Sequence, residues 1–423
     1  MFDFTGSPRA LIPALASLFF TTSISASTEE PLPASAAHAL EMLAPQGRWV
    51  TRLETRVSGY AQVYDNNGNA QPNAAGLDRV DLNASVFPVL ALLGAGASLG
   101  TTGATSRLSA KVIQLTLGYG VTENLTAGII MPWGSTTNRV NFSVSGGNTG
   151  FNTAFDPALP IGPGNFPFAP VGGGALAALD TAGMQTILTH PAFGLGYKPI
   201  KTTTVESLGD PTVGALWRFW KGHTSGGGAK SSAILGLGVR FGVQAQNDPD
   251  DLADLPLDDG STDWVAQLEA THQLNELWDL RLQGKYTRQT EDNFTARVPL
   301  PGELLPGLAS KETLKRDLGD YIEYDVELGR RFGDWRVSGT WHRWDKRSDR
   351  YTSALGTDTA MLEQNTRTLA DQWRMAMSWS GIKAWQSGNF PLPLILKLET
   401  QQTYRGKNMP KVWDVYLQAT TFF

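Results

Sequence analysis

The sequence predicts an all-β chain: a transmembrane antiparallel β-barrel of about twelve strands, with fourteen as the alternative, long extracellular loops and short periplasmic turns. Three observations predict it. Apolar and polar side chains alternate every two residues in recurring segments, the links between those segments alternate short and long, and aromatic residues collect at both ends of the apolar faces. Successive side chains of a strand point to opposite faces, so such alternation gives one apolar wall and one polar wall.

Residues 1–26 read as a secretory signal peptide, with Arg9, an apolar run over 10–20, and small residues for cleavage near Ser25 or Ala26. Residues 27–47 form a periplasmic N-terminal segment. Within it, 35–44 has helical composition with Leu40, Met42 and Leu43, which suits a short helix or an internal plug.

The barrel occupies residues 48–423. Its strands are expected at 48–63, 108–119, 125–133, 210–220, 231–245, 263–274, 277–289, 320–332, 335–344, 368–379, 392–404 and 412–423. Each is near the ~9–11 residues that a tilted strand needs to cross a bilayer. Short links at 120–124, 221–230, 275–276, 333–334 and 380–391 alternate with longer ones at 64–107, 134–209, 246–262, 290–319 and 345–367, and with the shorter 405–411. An even strand number with short inner turns and long outer loops is the pattern of a bacterial outer-membrane barrel. The insertion over 134–207 has room to hide another hairpin.

Aromatic placement adds a second test. Trp49, Trp278, Trp335, Trp379 and Phe423 fall at the periplasmic ends of the apolar faces, and Trp133, Trp264, Trp341 and Trp413 at the opposite ends. Two lipid interfaces select two such rings. A soluble all-β protein also alternates, but it has no reason to sort indoles by strand end. In a barrel the polar faces line the lumen, which makes Arg52, Glu54, Arg56, Tyr60, Arg240, Arg281, Lys285, Glu323, Asp325, Glu327, His342, Arg374, Lys397 and Glu399 lumen candidates. Their mixed signs announce no strong ion selectivity.

Several classes are disfavoured. The net charge is −5 with no basic stripe, which argues against a nucleic-acid partner. Cysteine is absent, so no disulfide framework or thiolate metal site is available. The mature chain has no convincing apolar run of the ~18 residues that a membrane helix needs. The five histidines form no metal-spaced pair, no nucleophile elbow appears, and neither an enzyme nor a cofactor is expected. His342 reads as a hydrogen-bonded lumen residue, and His272 as an outward residue near the periplasmic rim.

Two stretches carry a family resemblance: Val-Thr-Glu-Asn-Leu-Thr-Ala-Gly-Ile-Ile-Met-Pro-Trp over 121–133, and Leu-Gly-Asp-Pro-Thr-Val-Gly-Ala-Leu-Trp-Arg-Phe over 208–219. They resemble the outer-membrane barrel family associated with the meta-cleavage pathway of phenol degradation, whose members are inferred transporters. The resemblance implies a barrel and a transport role, and it brings no catalytic residues. The terminal strand, 412–423, ends on an aromatic and resembles the signal read by the outer-membrane barrel assembly machinery.

Two outer segments are unusual. Residues 86–99 and 166–188 are apolar where exposed loops are ordinarily polar, so Phe87, Leu90, Leu92, Leu93, Phe166 and Phe168 are mouth or plug candidates. They can pack on one another, plug the barrel or capture an apolar ligand. The acidic run over 248–263 lacks the regular pattern of a calcium loop and reads as a solvated loop. These features lead to one expectation: a channel in the bacterial outer membrane for passive uptake of small hydrophobic or aromatic molecules. Outer-membrane lipid and lipopolysaccharide would be its surroundings. The alternative is a non-conducting barrel acting as a surface scaffold or adhesion module.

Overall fold

The structure, a computed structural model, describes residues 43–191, 194–223, 229–243, 247–254 and 259–423. The signal-peptide expectation over 1–26, and the part of the periplasmic segment over 27–42, lie outside the described residues. Twelve strands form the barrel: β1 (Trp49–Tyr60), β2 (Ser98–Thr122), β3 (Leu125–Ser145), β4 (Thr212–His223), β5 (Ala229–Arg240), β6 (Asp263–Gln273), β7 (Trp278–Gln289), β8 (Tyr321–Phe332), β9 (Trp335–Lys346), β10 (Thr368–Ser380), β11 (Leu394–Lys407) and β12 (Trp413–Phe422). Each pairs antiparallel with the next, and β12 returns to β1 in a register running from Val50 opposite Phe422 to Gly59 opposite Trp413. Trp49 and Phe423 exchange two backbone hydrogen bonds, at 2.7 and 3.0 Å. Closure matters because hydrocarbon satisfies no backbone N–H or C=O.

The outward faces are apolar. Leu53, Val57, Leu268, Val326, Leu328, Val337, Leu398 and Leu417 are exposed there, with Trp49, Trp264, Trp335, Trp341, Trp413 and Phe423 at the two ends. Trp133, Trp278 and Trp379 are half-buried. From Trp413 to Phe423 is ten steps along β12, about 33 Å at ~3.3 Å per residue. A tilt of roughly 40° reduces that to about 25 Å, the height of an outer-membrane apolar band.

All twelve expected segments are strands, but two are much longer than expected. β2 begins at Ser98 rather than 108 and β3 ends at Ser145 rather than 133, giving 25 and 21 residues. The excess projects beyond the apolar band as a two-stranded stalk, paired from Thr101 opposite Ser145 downward. β5 stops at Arg240, short of the expected 245: the Phe241 N–H still bonds the carbonyl of Pro211 opposite it, but proline has no N–H to return and the ladder ends there. Two further strands, Asp81–Asn83 and Thr203–Leu208, extend the sheet without joining the ring. Among its described residues, the 134–207 insertion therefore supplies the β3 stalk, a helix and an edge strand, and no additional membrane hairpin.

A cap covers the stalk. Helix α1 (Thr181–Thr189) starts at Asp180, whose carboxylate accepts the Gly183 N–H at 2.8 Å. Its Met184, Ile187 and Leu188 follow helical spacing and are buried. They pack with Leu82, Phe87, Leu90, Leu99, Phe166, Phe168, Leu179 and Leu305 into one core. The two apolar outer segments thus pack on each other, and burial of each large side chain contributes about 1.5–3 kcal/mol. Leu93 packs against this core, whereas Leu92 remains 68% exposed.

At the periplasmic end, Ala44, Val50, Ile382, Ile395 and Phe422 form a smaller cluster, with Trp385 of the short helix Ile382–Gln386 against it. The Ala44 N–H donates to the Thr126 hydroxyl at 2.9 Å and the Gly47 N–H to the Gly120 carbonyl at 2.8 Å. The described part of the N-terminal segment is non-helical and lies against the lower ends of β2 and β3.

Candidate functional site: the lumen cavity

A cavity of about 610 Å³ occupies the lumen, within the ~300–1,000 Å³ range of small-molecule sites. Its two walls differ in chemistry. β2, β3 and β4 contribute Val112, Gln114, Thr116, Gly118, Thr126, Gly128, Ile130, Pro132, Thr212, Gly214 and Leu216, none of them charged. Four glycines stand in one row across adjacent strands: Gly118 opposite Gly128, Gly128 opposite Gly214, and Gly214 opposite Gly238. A Cβ at Gly128 would lie 2.5 Å from the Leu117 carbonyl oxygen, and one at Gly214 2.6 Å from that of Leu237. Backbones approach this closely where a sheet bends sharply, and glycine permits the bend.

Above the row, Asp210 sits in the break between the edge strand and β4. It is almost fully buried and accepts the Val243 N–H at 2.9 Å. β3 pairs with β4 over only Leu125–Ile130, and with the edge strand from Trp133 onward. Pro132 and Pro211, which have no N–H to donate, flank the interruption.

The opposite wall is charged and cross-braced. Arg56 reaches Asp414 at 3.1 Å, Arg281 reaches Glu269 at 2.7 Å and Glu327 at 3.6 Å, and Lys285 reaches Glu323 at 2.7 Å. Arg374 lies 3.5 Å from Asp325 and donates to Gln401 at 2.6 Å. Arg240 pairs with Asp263 and lies 3.8 Å from Asp259. His342 is buried, with Nδ1 at 2.6 Å from Asp325 and Nε2 at 3.9 Å from Glu323. Towards the outer end, Tyr321 stacks on Trp344 at 4.0 Å between ring centroids, and the Lys285 ammonium lies 5.9 Å from the Tyr321 ring.

Of the residues expected in the lumen, Arg52, Arg56, Arg240, Arg281, Lys285, Glu323, Asp325 and Arg374 line this cavity together. Glu54, Lys397 and Glu399 line a smaller one of about 260 Å³ with Arg374, Tyr416 and Gln418. Glu327 is buried behind the surface against Arg336 at 2.5 Å, and Tyr60, at the outer end of β1, lines neither cavity. None of the six mouth or plug candidates lines the large cavity. Tyr321, Tyr416, Asp414, Glu269, Asp279 and Arg336 were not among the expected lumen residues, although strand phase alone places them on inward faces. Asp279 is held by Arg336 at 2.5 Å and Arg331 at 3.3 Å. His272 lies on the outward phase, as expected, and bonds the Ser231 hydroxyl at 2.7 Å.

Within the acidic run, Asp248 and Asp250 are ion-paired. Asp248 meets Lys198 at 2.6 Å, and Asp250 meets Arg297 at 2.8 Å and Lys311 at 2.7 Å. Lys198 holds the Asp248 carboxyl below its usual range. At Asp250, burial pushes the carboxyl up, but Lys311 and Arg297 outweigh it and the group also sits low. Arg297 is the bolt of this region: it donates to the carbonyls of Leu195 (2.6 Å), Gly196 (2.8 Å) and Pro306 (3.1 Å), with its guanidinium 3.7 Å from the Tyr197 ring centroid.

No protein-family model and no curated protein sequence matches the chain. Among solved structures, it is similar to an outer-membrane channel from Pseudomonas putida F1, with TM-score 0.51 and 13% identity over 90% of this chain and 96% of that one. A toluene transporter from Ralstonia pickettii aligns at TM-score 0.34 and 12% identity over 92% of each chain. The translocator domain of the autotransporter NalP from Neisseria meningitidis aligns at 0.37 and 8% identity, over 98% of this chain and 97% of that one. The first likeness shows the fold, and the two lower scores support no conclusion. The barrel and its likeness to an outer-membrane channel point to the bacterial outer membrane.

Proposed function

We propose that this chain is an outer-membrane channel for passive uptake of small hydrophobic or aromatic molecules. The observation that carries this reading is the lumen cavity, in which the uncharged, glycine-lined wall of β2, β3 and β4, bordered above by Asp210, faces a braced charged one. An apolar ring can lie on the first wall without stripping water from a charge, while the second keeps the lumen hydrated. The Tyr321 and Trp344 stack gives an incoming ring a partner at the outer end. The phenol-degradation association of the two turn motifs points in the same direction. Apolar outer loops do not serve as an open capture surface in this reading, since Phe87, Leu90, Phe166 and Phe168 fill the cap core.

A second reading, a non-conducting surface scaffold, draws on the extensive pairing of the lumen charges. Planar-bilayer recording separates the two. Discrete openings, with uptake of a labelled monoaromatic lost on deletion and restored by complementation, support the channel. Electrically silent membranes with unchanged uptake refute it and favour the scaffold.

A further inference from the structure

The charged wall is balanced in its pairs but not in what it shows to water. In the Arg56 pair, the guanidinium side chain is 40% exposed and the Asp414 carboxylate 0%. In the Arg281 pair the figures are 22% and 3% for Glu269. The same order holds for Arg240 over Asp263, Lys285 over Glu323, Arg374 over Asp325 and Lys397 over Glu399. Six pairs, whose cations stand on five strands, are thus oriented alike, with the carboxylate set back against the sheet and the cation towards the lumen water; Asp259, at the outer end beside Arg240, reverses the order at 38% against 21%. Long basic stems lie along the wall and put their charged heads at its surface. The large cavity counts Arg52, Arg56, Arg240, Arg281, Lys285 and Arg374 among its lining, against Asp210, Glu323 and Asp325. Arg52 and Arg281 come from strands on opposite sides of the ring.

Mixed signs in the sequence gave no reason to expect selectivity; the arrangement in space does. We infer that the cavity binds an amphipathic organic anion, an aromatic or short aliphatic carboxylate, with its carboxylate on the cationic surface and its hydrocarbon on the glycine row. The inference deepens the channel reading and rests on it for its physiological meaning. A carboxylate gains charge-assisted hydrogen bonds from Arg56 and Arg374, each of whose guanidiniums carries five N–H groups and spends only some of them on Asp414, Gln401 and Asp325. A neutral isostere loses that gain, and a cation meets like charge.

The test is calorimetric titration of the full protein in detergent with benzoate, benzyl alcohol and benzylamine. Benzoate is expected to bind at least about tenfold more tightly than the alcohol, the worth of one charge-assisted contact, and benzylamine more weakly than either. Raising salt is expected to shrink the benzoate preference. Arg374→Gln, which keeps a hydrogen-bonding side chain beside Gln401, is expected to lower benzoate affinity about tenfold and leave the alcohol within about twofold. Should that variant fold poorly, the salt series on the native protein decides. Equal or tighter binding of the alcohol, a preference for the amine, or no binding of any of the three overturns the inference. Bilayer recording on the same preparation separates the two readings. Silence with retained benzoate preference removes the channel and leaves the site, and openings without that preference do the reverse.

Discussion

Replacing Arg297 with methionine tests whether the cap is a unit held apart from the barrel. The side chain is 2% exposed and engages the Asp250 carboxylate, three carbonyls and the Tyr197 ring. Methionine fills a similar volume but leaves the three carbonyls without their donor, while Asp250 keeps Lys311. Each buried acceptor left unsatisfied costs about 1–3 kcal/mol, so three carbonyls that recover part of their loss from water as the loops part cost about 3–5 kcal/mol together. At 1.4 kcal/mol per tenfold, opening of the cap becomes more frequent by about two to three and a half powers of ten. Amide exchange followed by mass spectrometry reads this directly. Protection is expected to fall in 195–202, 247–254 and 300–311 while β6 to β12 keep theirs, because the ring's ladders do not pass through Arg297. Arg297→Lys is expected to fall between the two, since lysine retains the charge but not the planar fork. Unchanged protection in those three segments, or loss of protection throughout the barrel, would refute the idea of a separately bolted cap.

Acid is expected to loosen the same region. The Asp248 and Asp250 carboxyls lie below their ordinary value in the folded chain, so their contribution is present above about pH 4 and lost as pH falls through the folded values; proteolysis of the cap at pH 3 against pH 7 checks this. Gly128→Val places a side chain against the Leu117 carbonyl in a bend with no room for it. Overpacking should cost about 1–3 kcal/mol, read as a lower temperature for loss of the compact, fast-migrating form on unheated gels. Gly120→Ala puts a Cβ 2.0 Å from the Pro45 carbonyl oxygen; it is expected to displace residues 43–47 and raise exchange there, with β1 unaffected.

The ring was legible in the sequence because lipid on one side and water on the other impose a period of two on every membrane strand. That signal fades where both faces meet water or protein, which is why the stalks of β2 and β3 above 108 and 133 were not legible. The cap was visible as misplaced hydrophobicity at Phe87, Leu90, Phe166 and Phe168, but its core needs partners from three separate loops. Lumen candidates followed from strand phase, yet which of them face one another depends on register around the ring. The glycine row shows this best: Gly118, Gly128, Gly214 and Gly238 have no sequence spacing that marks them, and only strand pairing brings them into line. Arg297 gave no local signal, since its acceptors lie near 195, 250 and 306.

The seam between the first and last strands has a kinetic corollary. Its side-chain contact from Arg52 to Thr420 joins positions 368 apart, whereas most other seams join neighbours through a short turn or a single loop. Chain-entropy cost rises only with the logarithm of separation, by about 0.6 kcal/mol per doubling, so about five doublings beyond a hairpin add only about 3 kcal/mol. That toll is small beside the backbone bonds the seam completes, but it falls before any of them has formed. Hairpins are therefore the early species and the unringed sheet the late one, with two raw edges open to pairing with another chain until the ends meet.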